Sequence, residues 1–292
     1  MKPLLHYDES MLDNREKFDD DFFKRFELRH GEQPLQLDDH ISKNYLFPTF
    51  YSDVTCAIGI FFCSYEKAER MMIDPRMKPI RMPKGRSLVI FSCYEYKNVL
   101  GIPPYNEIAM TIPVMVDAGW NPPVLPMVLE KLFPSFGYYV FSMPVTSLEN
   151  RIRGHKIWGL PKEVQEITIT NTANQCVTEA KEEDGTPYFQ LSIPTEGKLT
   201  SFDVSSHLYS KLEGELLKSE THFKGNFHVQ KNMKSLWQTG GKVENPILKI
   251  GDSPSGKVLQ ELEIEEVPFQ TRYTKSMNSC FDLAKEKVGV KS

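Results

Sequence analysis

The chain has 292 residues, with 35 Lys and Arg against 39 Asp and Glu and a formal net charge of −4. Apolar residues make up 40% and charged residues 25%, the balance of an ordinary globular protein, which excludes a disordered, collagenous or coiled-coil chain. A slightly acidic chain lacks the cationic surface that displaces phosphate counterions, so no nucleic-acid partner is expected. No stretch approaches the roughly 20 apolar residues of a membrane span, and MKPLLHYDESMLDNREKFDDD turns acidic before an apolar leader segment develops. The expectation is a cytoplasmic protein with no membrane contact.

Residues 1–44 read as an N-terminal extension that packs on the main body or on a neighbouring subunit. Within it, Asp19 to His30 (DDDFFKRFELRH) has the acidic start and basic end of a short amphipathic helix. From Tyr45 the pattern changes to short runs rich in β-branched and aromatic residues, broken by Pro, Gly, Asn and Asp. TCAIGIFFCSY, SLVIFSCYEY, NEIAMTIPVMV and GYYVFSMPV read as buried or half-buried strands, and VQEITITNT alternates with period two. QCVTEAKEEDGTPYFQLSIP reads as a hairpin with Asp184-Gly185 at the turn. FHVQKN and LQELEIEEVPFQTRY continue the strands.

Helices are fewer. SYEKAERMM follows Ser64, and PMVLEKLF lies in the proline-rich, apolar insertion 119–135. Thr146-Ser147-Leu148-Glu149 has the form of a capping box, opening a helix to about Gly154 with Leu148 and Ile152 inward. SMNSCFDLAKEK is expected to be the last helix. No βαβ rhythm appears, so the fold class is α+β: mostly antiparallel β, a closed or curled double sheet with a few peripheral helices. Residues 45–292 form a single domain in this reading.

Cys56, Cys63, Cys93, Cys176 and Cys280 are widely spaced with no CxxC pair, reading as buried thiols rather than disulfides or a zinc cage. Gly251–Gly256 lacks the Lys-Ser/Thr of a phosphate loop and reads as a turn; Gly197-Lys198-Leu199-Thr200 lacks the upstream glycine. His222 and His228 have no third ligand, so no metal is expected. The signal that remains lies in two segments. One is Tyr105-Asn106-Glu107 entering the strand-like IAMTIPV; the other is Gly154-His155-Lys156-Ile157-Trp158-Gly159-Leu160-Pro161-Lys162-Glu163.

Together these segments resemble the acetoacetate decarboxylase family, in which a Tyr-x-Glu strand precedes a helix and a Gly-x6-Pro-Lys turn. The resemblance runs over most of residues 45–282. It implies a cone-shaped antiparallel barrel or double sheet, a homo-oligomeric assembly, Lys162 as the Schiff-base lysine inside the cone and Glu107 as the active-site glutamate. The implied activity is that of a carbon–carbon lyase acting on a small keto acid, acetoacetate or a related β-keto acid, with aldol or dehydration chemistry as the alternative within the superfamily. No metal or organic cofactor is implied, because the amine itself is the electron sink. An unperturbed lysine is neutral only about once in two thousand at pH 7, so an apolar pocket must lower its pKa; Phe91, Ile112, Val114, Phe141 and Trp158 are candidate walls.

Three departures bear on that carry-over. The family's second lysine is Glu163 here, which opposes activation unless strand alternation turns it away. The family's Gly-Arg-Glu is Gly154-His155-Lys156, placing Arg151, Arg153, His155 and Lys156 in one basic turn. That turn complements the helix macrodipole or supplies the missing cation or a carboxylate clamp; Arg153 and His155, with Tyr105 and Trp158, are the candidate substrate contacts, packing being the plainer reading of the two aromatics. The family's early-strand arginine falls near Thr55-Cys56, where there is none, leaving Arg81 or Arg86 to reach in from a loop. The rival reading is a non-catalytic barrel that binds a small hydrophobic or acidic ligand.

Overall fold

A computed structural model describes residues 14–284 and the backbone of 286–287; the acidic start, residues 1–13, and Lys285 of the expected last helix lie outside the described residues. Residues 14–48 contain two 3-10 turns, Arg15–Phe18 and Phe23–Arg25, then β1 (Arg29–His30), β2 (Leu35–Gln36), β3 (Ser42–Lys43) and β4 (Leu46–Phe47). The helix expected over Asp19–His30 is therefore absent. The phenylalanines there act through tertiary contacts: Phe22 and Phe23, with the preceding Phe18, bury against Phe50, Leu100 and Cys280.

The main strands are β5 (Thr49–Ser64), β6 (Met77–Pro79), β7 (Arg86–Val99), β8 (Tyr105–Val116), β9 (Phe136–Val145), β10 (Lys162–Val164), β11 (Glu166–Asn171), β12 (Gln175–Lys181) and β13 (Pro187–Pro194). They are followed by β14 (Lys198–Leu212), β15 (Glu215–Lys231), β16 (Leu248–Ile250), β17 (Pro268–Thr274), β18 (Met277–Phe281) and β19 (Glu286–Lys287). The helices are α1 (Tyr65–Arg70), α2 (Leu125–Val128), α3 (Leu148–Trp158) and α4 (Pro254–Gln260). Neighbours β5, β7, β8, β9, β14, β15 and β17 pair in turn, and β17 returns to β5, so the large sheet closes on itself. Closure removes the exposed edges that an open sheet would leave. The sheet is mostly antiparallel, as expected, and mixed only where β9 runs parallel to both β14 and β10.

β11, β12, β13 and β16 form a second antiparallel sheet stacked on one flank of the first. This explains why β5 reads as an unbroken apolar run: Val54, Cys56, Ile58, Ile60 and Phe62 face the lumen of the closed sheet. Ala57, Phe61 and Cys63 face Phe189, Leu191 and Ile193 of the second sheet. Strands buried on both faces lose the alternation of half-solvated ones. The Asp184-Gly185 turn joins β12 to β13 as expected, with Gly185 at φ 89 and the Asp184 carboxylate accepting from the Thr186 N–H at 2.8 Å. All five cysteines are free and buried.

Several local expectations are corrected. SMNSCF is not a helix but strand β18, because β15 and β5 both offer it open backbone. Gly251–Gly256 is not a simple turn: Ser253 caps α4, accepting from the Gly256 N–H at 3.1 Å, so the strand expected from Leu259 begins only at Pro268. β14, mostly half-solvated, has no hydrophobic run to announce it. In the insertion, PMVLEKLF divides into α2 and a 3-10 turn, Glu130–Leu132, with Val124, Met127 and Phe133 turned onto the lumen cluster. None of the helices among the described residues is long and apolar enough to cross a membrane.

Helix α3 departs most from the sequence reading. Its N-cap is Ser147, which accepts from the Asn150 N–H at 3.2 Å; Thr146 instead accepts from the Asn106 N–H, and there is no capping box. The helix continues past Gly154 to Trp158 and ends at Gly159 in the left-handed region, φ 60, the usual glycine stop. Its buried face is Glu149, Asn150, Arg153, Gly154 and Trp158, not Leu148 and Ile152. A helix that buries its polar side must satisfy each group inside the protein.

Candidate active site

Lys162 opens β10, which lies parallel beside β9 and is reached from α3 through Gly159-Leu160-Pro161. Strand alternation turns Lys162 inward and Glu163 outward: Lys162 is 6% exposed, whereas Glu163 sits at the surface 3.4 Å from Arg151. The negative neighbour is thus removed from the lysine by geometry. Inside, the Lys162 ammonium donates to Glu107 Oε2 at 2.5 Å. Fifty-five residues separate the two in the chain; only the register of β8 against β9, with Glu107 opposite Val145, brings them together.

Gly154 makes room for this lysine. A Cβ there would fall 2.4 Å from Lys162 Cδ and 2.8 Å from Cε, so the stem lies directly over the helix backbone. Gly154→Ala is accordingly expected to push the amine off its position. Misplacing a reactive group by about 1 Å costs on the order of 100-fold in rate; kcat should fall by that factor while circular dichroism stays native, and an unchanged kcat would show that the stem has slack.

Burial lowers the Lys162 pKa, because desolvation penalises the ammonium. Glu107 opposes that shift through its charge and hydrogen bond, and Arg153 adds to it by repulsion. Arg153 is the member of the basic turn that goes inward. It is 1% exposed, its guanidinium donates to Asn150 Oδ1 and Thr49 Oγ1, both at 2.9 Å, and it stacks on Tyr45 at 4.4 Å. Arg151 pairs with Glu163, and Lys156 donates to the Gln36 carbonyl at the surface. The helical step separates these neighbours, so the turn does not act as one cationic cluster.

His155 does not face the lumen. Its Nε2–H donates to the Lys162 carbonyl at 2.6 Å, tying the backbone of the lysine to α3. Trp158 is packing: its indole N–H donates to the Asp282 carbonyl at 2.9 Å and its ring lies 4.9 Å from Phe281. Tyr105 is beside the amine, with 5.7 Å from Lys162 Nζ to the ring centre. Phe91, Ile112, Val114 and Phe141 belong to the core between the sheets, so of the expected walls only Trp158 lies on the lumen side.

Arg86 is also committed elsewhere, to Glu265 at 3.1 Å and to four carbonyls, while Arg81 is exposed over Tyr65. At the early-strand position, Thr55 donates to Glu95 and the Cys56 thiol is buried, its pKa raised by desolvation.

The walls that sequence reasoning missed are Tyr51, Tyr94 and Tyr96, which join the expected Tyr105. Tyr51, Tyr96 and Tyr105 pack as tilted ring pairs at 4.5 and 4.8 Å, and Tyr94 stacks on Tyr96 at 5.3 Å. The Tyr96 hydroxyl donates to Glu107 Oε1 at 3.3 Å. Burial raises all four phenolic pKa values, that of Tyr51 to about 12, so they stay neutral donors. The signal was the alternation Tyr94-x-Tyr96 followed by Tyr105-x-Glu107, which becomes one face once Tyr94 pairs with Glu107 and Tyr96 with Tyr105.

A second buried carboxylate, Glu149 on α3, accepts from the Tyr45 hydroxyl at 2.5 Å and from Lys43 at 3.0 Å, so residues before β5 help to fix the helix. Among the described residues no group of three His, Cys, Asp or Glu side chains is placed to hold a metal.

The family model for acetoacetate decarboxylase matches residues 34–224. Among solved structures, an acetoacetate decarboxylase from Legionella pneumophila superposes with a TM-score of 0.55 at 11% identity, covering 82% of this chain and 86% of that one. A second acetoacetate decarboxylase gives 0.55 at 12%, covering 81% and 87%. The enduracididine biosynthesis enzyme MppR, complexed with pyruvate, gives 0.54 at 11%, covering 80% and 88%. These likenesses are of fold. No curated protein matches the sequence significantly.

Proposed function

The chain belongs to the acetoacetate decarboxylase family, and from that premise we propose a Schiff-base-forming lyase that acts on a small keto acid, acetoacetate or a related β-keto acid. The observation that carries this reading is the buried contact of 2.5 Å between Lys162 Nζ and Glu107 Oε2, in a site where burial and Arg153 both favour the neutral amine. The amine adds to the ketone carbon, and Glu107 takes the proton released from nitrogen. The same proton, returned to the carbinolamine oxygen, lets water leave and the iminium form. The bond to the β-carboxylate then breaks, CO₂ departs, and the electron pair passes through carbon into the C=N to give an enamine. Protonation at carbon and hydrolysis return the ketone product and the free amine.

A second reading has specific support: Glu163 and Thr55-Cys56 stand where the family's second lysine and early arginine fall, so an aldol or dehydration reaction through the same iminium is the alternative. The test is incubation with acetoacetate, pyruvate or acetone plus borohydride, followed by peptide mass spectrometry and CO₂ measurement. A reduced adduct on Lys162 with CO₂ release from acetoacetate is expected. An adduct with pyruvate but no CO₂ from acetoacetate moves the assignment to the second reading; no adduct with any carbonyl compound would leave only a ligand-binding barrel.

A further inference from the structure

On the far wall of the closed sheet, the Nε of Arg272 is buried and has no hydrogen-bond partner among the described residues. We infer that, besides the ketone taken by Lys162, the substrate carries a carboxylate a few carbons away that stays on the product and is held across the lumen by Arg272; this rests on the Schiff-base reading above. Arg272 lies on β17, which pairs with β5, three strands round the ring from β8 on one side and four on the other. Registers place it in one lateral row, Arg272–Ile58–Ser92–Ala109. The adjacent row is Thr274–Cys56–Tyr94–Glu107. Residues two apart on a strand share a face, so Arg272 and Glu107 both point into the lumen from opposing walls.

The guanidinium is not engaged there. Its Nε is buried with no hydrogen-bond partner, and it forms no ion pair among the described residues. Phe202 lies beneath it at 5.0 Å. Glu130 of the insertion feels its charge but is held by the Tyr138 hydroxyl at 3.1 Å. Glu130 offsets part of that charge without forming an ion pair, yet a desolvated guanidinium with an unmade hydrogen bond is still expensive, and a planar carboxylate matches its donor geometry. The row leading to it is also open. Ala109, Ser92 and Ile58 keep 7%, 8% and 9% of their surface, while Ile108, Phe91 and Ala57, on the opposite face of the same strands, keep 0%. Solvent-sized access therefore exists along the lumen and not in the core between the sheets. A ring of this few strands is just wide enough for one small ligand, so the two anchors suit a short keto acid.

The test uses levulinate and its longer homologues against neutral methyl ketones of equal length, trapped on the full chain by borohydride over a concentration series. Half-saturation should come at roughly ten- to hundredfold lower concentration for the acids. Arg272→Gln should erase that difference while leaving the neutral ketones unchanged, and Arg272→Lys should recover part of it. Equal half-saturation of acids and neutral ketones on the unaltered protein would overturn the inference without any variant, as would Arg272→Gln weakening both classes alike. If no ketone of either class forms an adduct, the Schiff-base reading fails. Calorimetry with adipate then decides the remaining point: binding lost in Arg272→Gln upholds the carboxylate site, and no binding removes it.

Discussion

Lys162→Met is expected to abolish imine trapping and to lower kcat/KM by on the order of 10⁵-fold, as loss of a covalent nucleophile does in other enzymes. The same change should destabilise the fold, although methionine is the more apolar residue. Lys162 and Glu107 form a buried pair, 6% and 5% exposed, and removing one member leaves the other charge desolvated, at about 3–5 kcal/mol. Replacing both at once, as Lys162→Met with Glu107→Leu, should recover most of that loss, because two apolar side chains need no counter-charge. Urea unfolding of the two single variants and the double variant measures the coupling. Additive losses would mean that the 2.5 Å contact holds no energy, and residual trapping in Lys162→Met would move the nucleophile to another lysine.

Glu107→Gln should shift the acid limb of borohydride trapping to lower pH. The sign follows from the groups around the amine. Burial and Arg153 lower the Lys162 pKa, and the Glu107 carboxylate raises it. Without the carboxylate only the lowering influences remain, so the amine becomes neutral at lower pH and trapping begins earlier. A charge at about 4 Å is worth roughly 4 kcal/mol at an effective dielectric of 20, which makes a shift of at least about one pH unit the expected size. Turnover should fall at the same time, since the group proposed to carry the proton between nitrogen and carbinolamine oxygen is gone. Trapping measured from pH 4 to 9 separates the two effects; an acid limb that stays in place, or moves upward, would show that Glu107 does not control the charge of Lys162.

How much of this site could be read from residues alone depended on the range of each interaction. Gly154, Pro161, Lys162 and Glu107 were legible because the motif lies in short segments whose spacing is set by one helix and one strand. The direction of Arg153 was not. Sequence placed it in a turn with Arg151, His155 and Lys156, and only the docking of α3 against Thr49 and Tyr45 separated it from them. Reading Leu148 and Ile152 as the inner face failed for the same reason, since Glu149 and Arg153 found partners in Tyr45 and Thr49, more than 100 residues away. The walls chosen from β7 and β8 were apolar residues of the right strands, but of the face that meets the second sheet.

By itself the sequence determined the strands buried on both faces, the Asp184-Gly185 turn, the free buried thiols and the lysine that follows Pro161. Those features rest on side-chain chemistry and on backbone preferences acting over a few residues. Tertiary structure decided that residues 277–281 are a strand, that the sheet closes through parallel pairing of β9, and that Glu107, Tyr96 and Arg272 all face the lumen. The physical reason is register: a slip of one residue turns a whole strand inside out, and register is fixed only when distant strands meet.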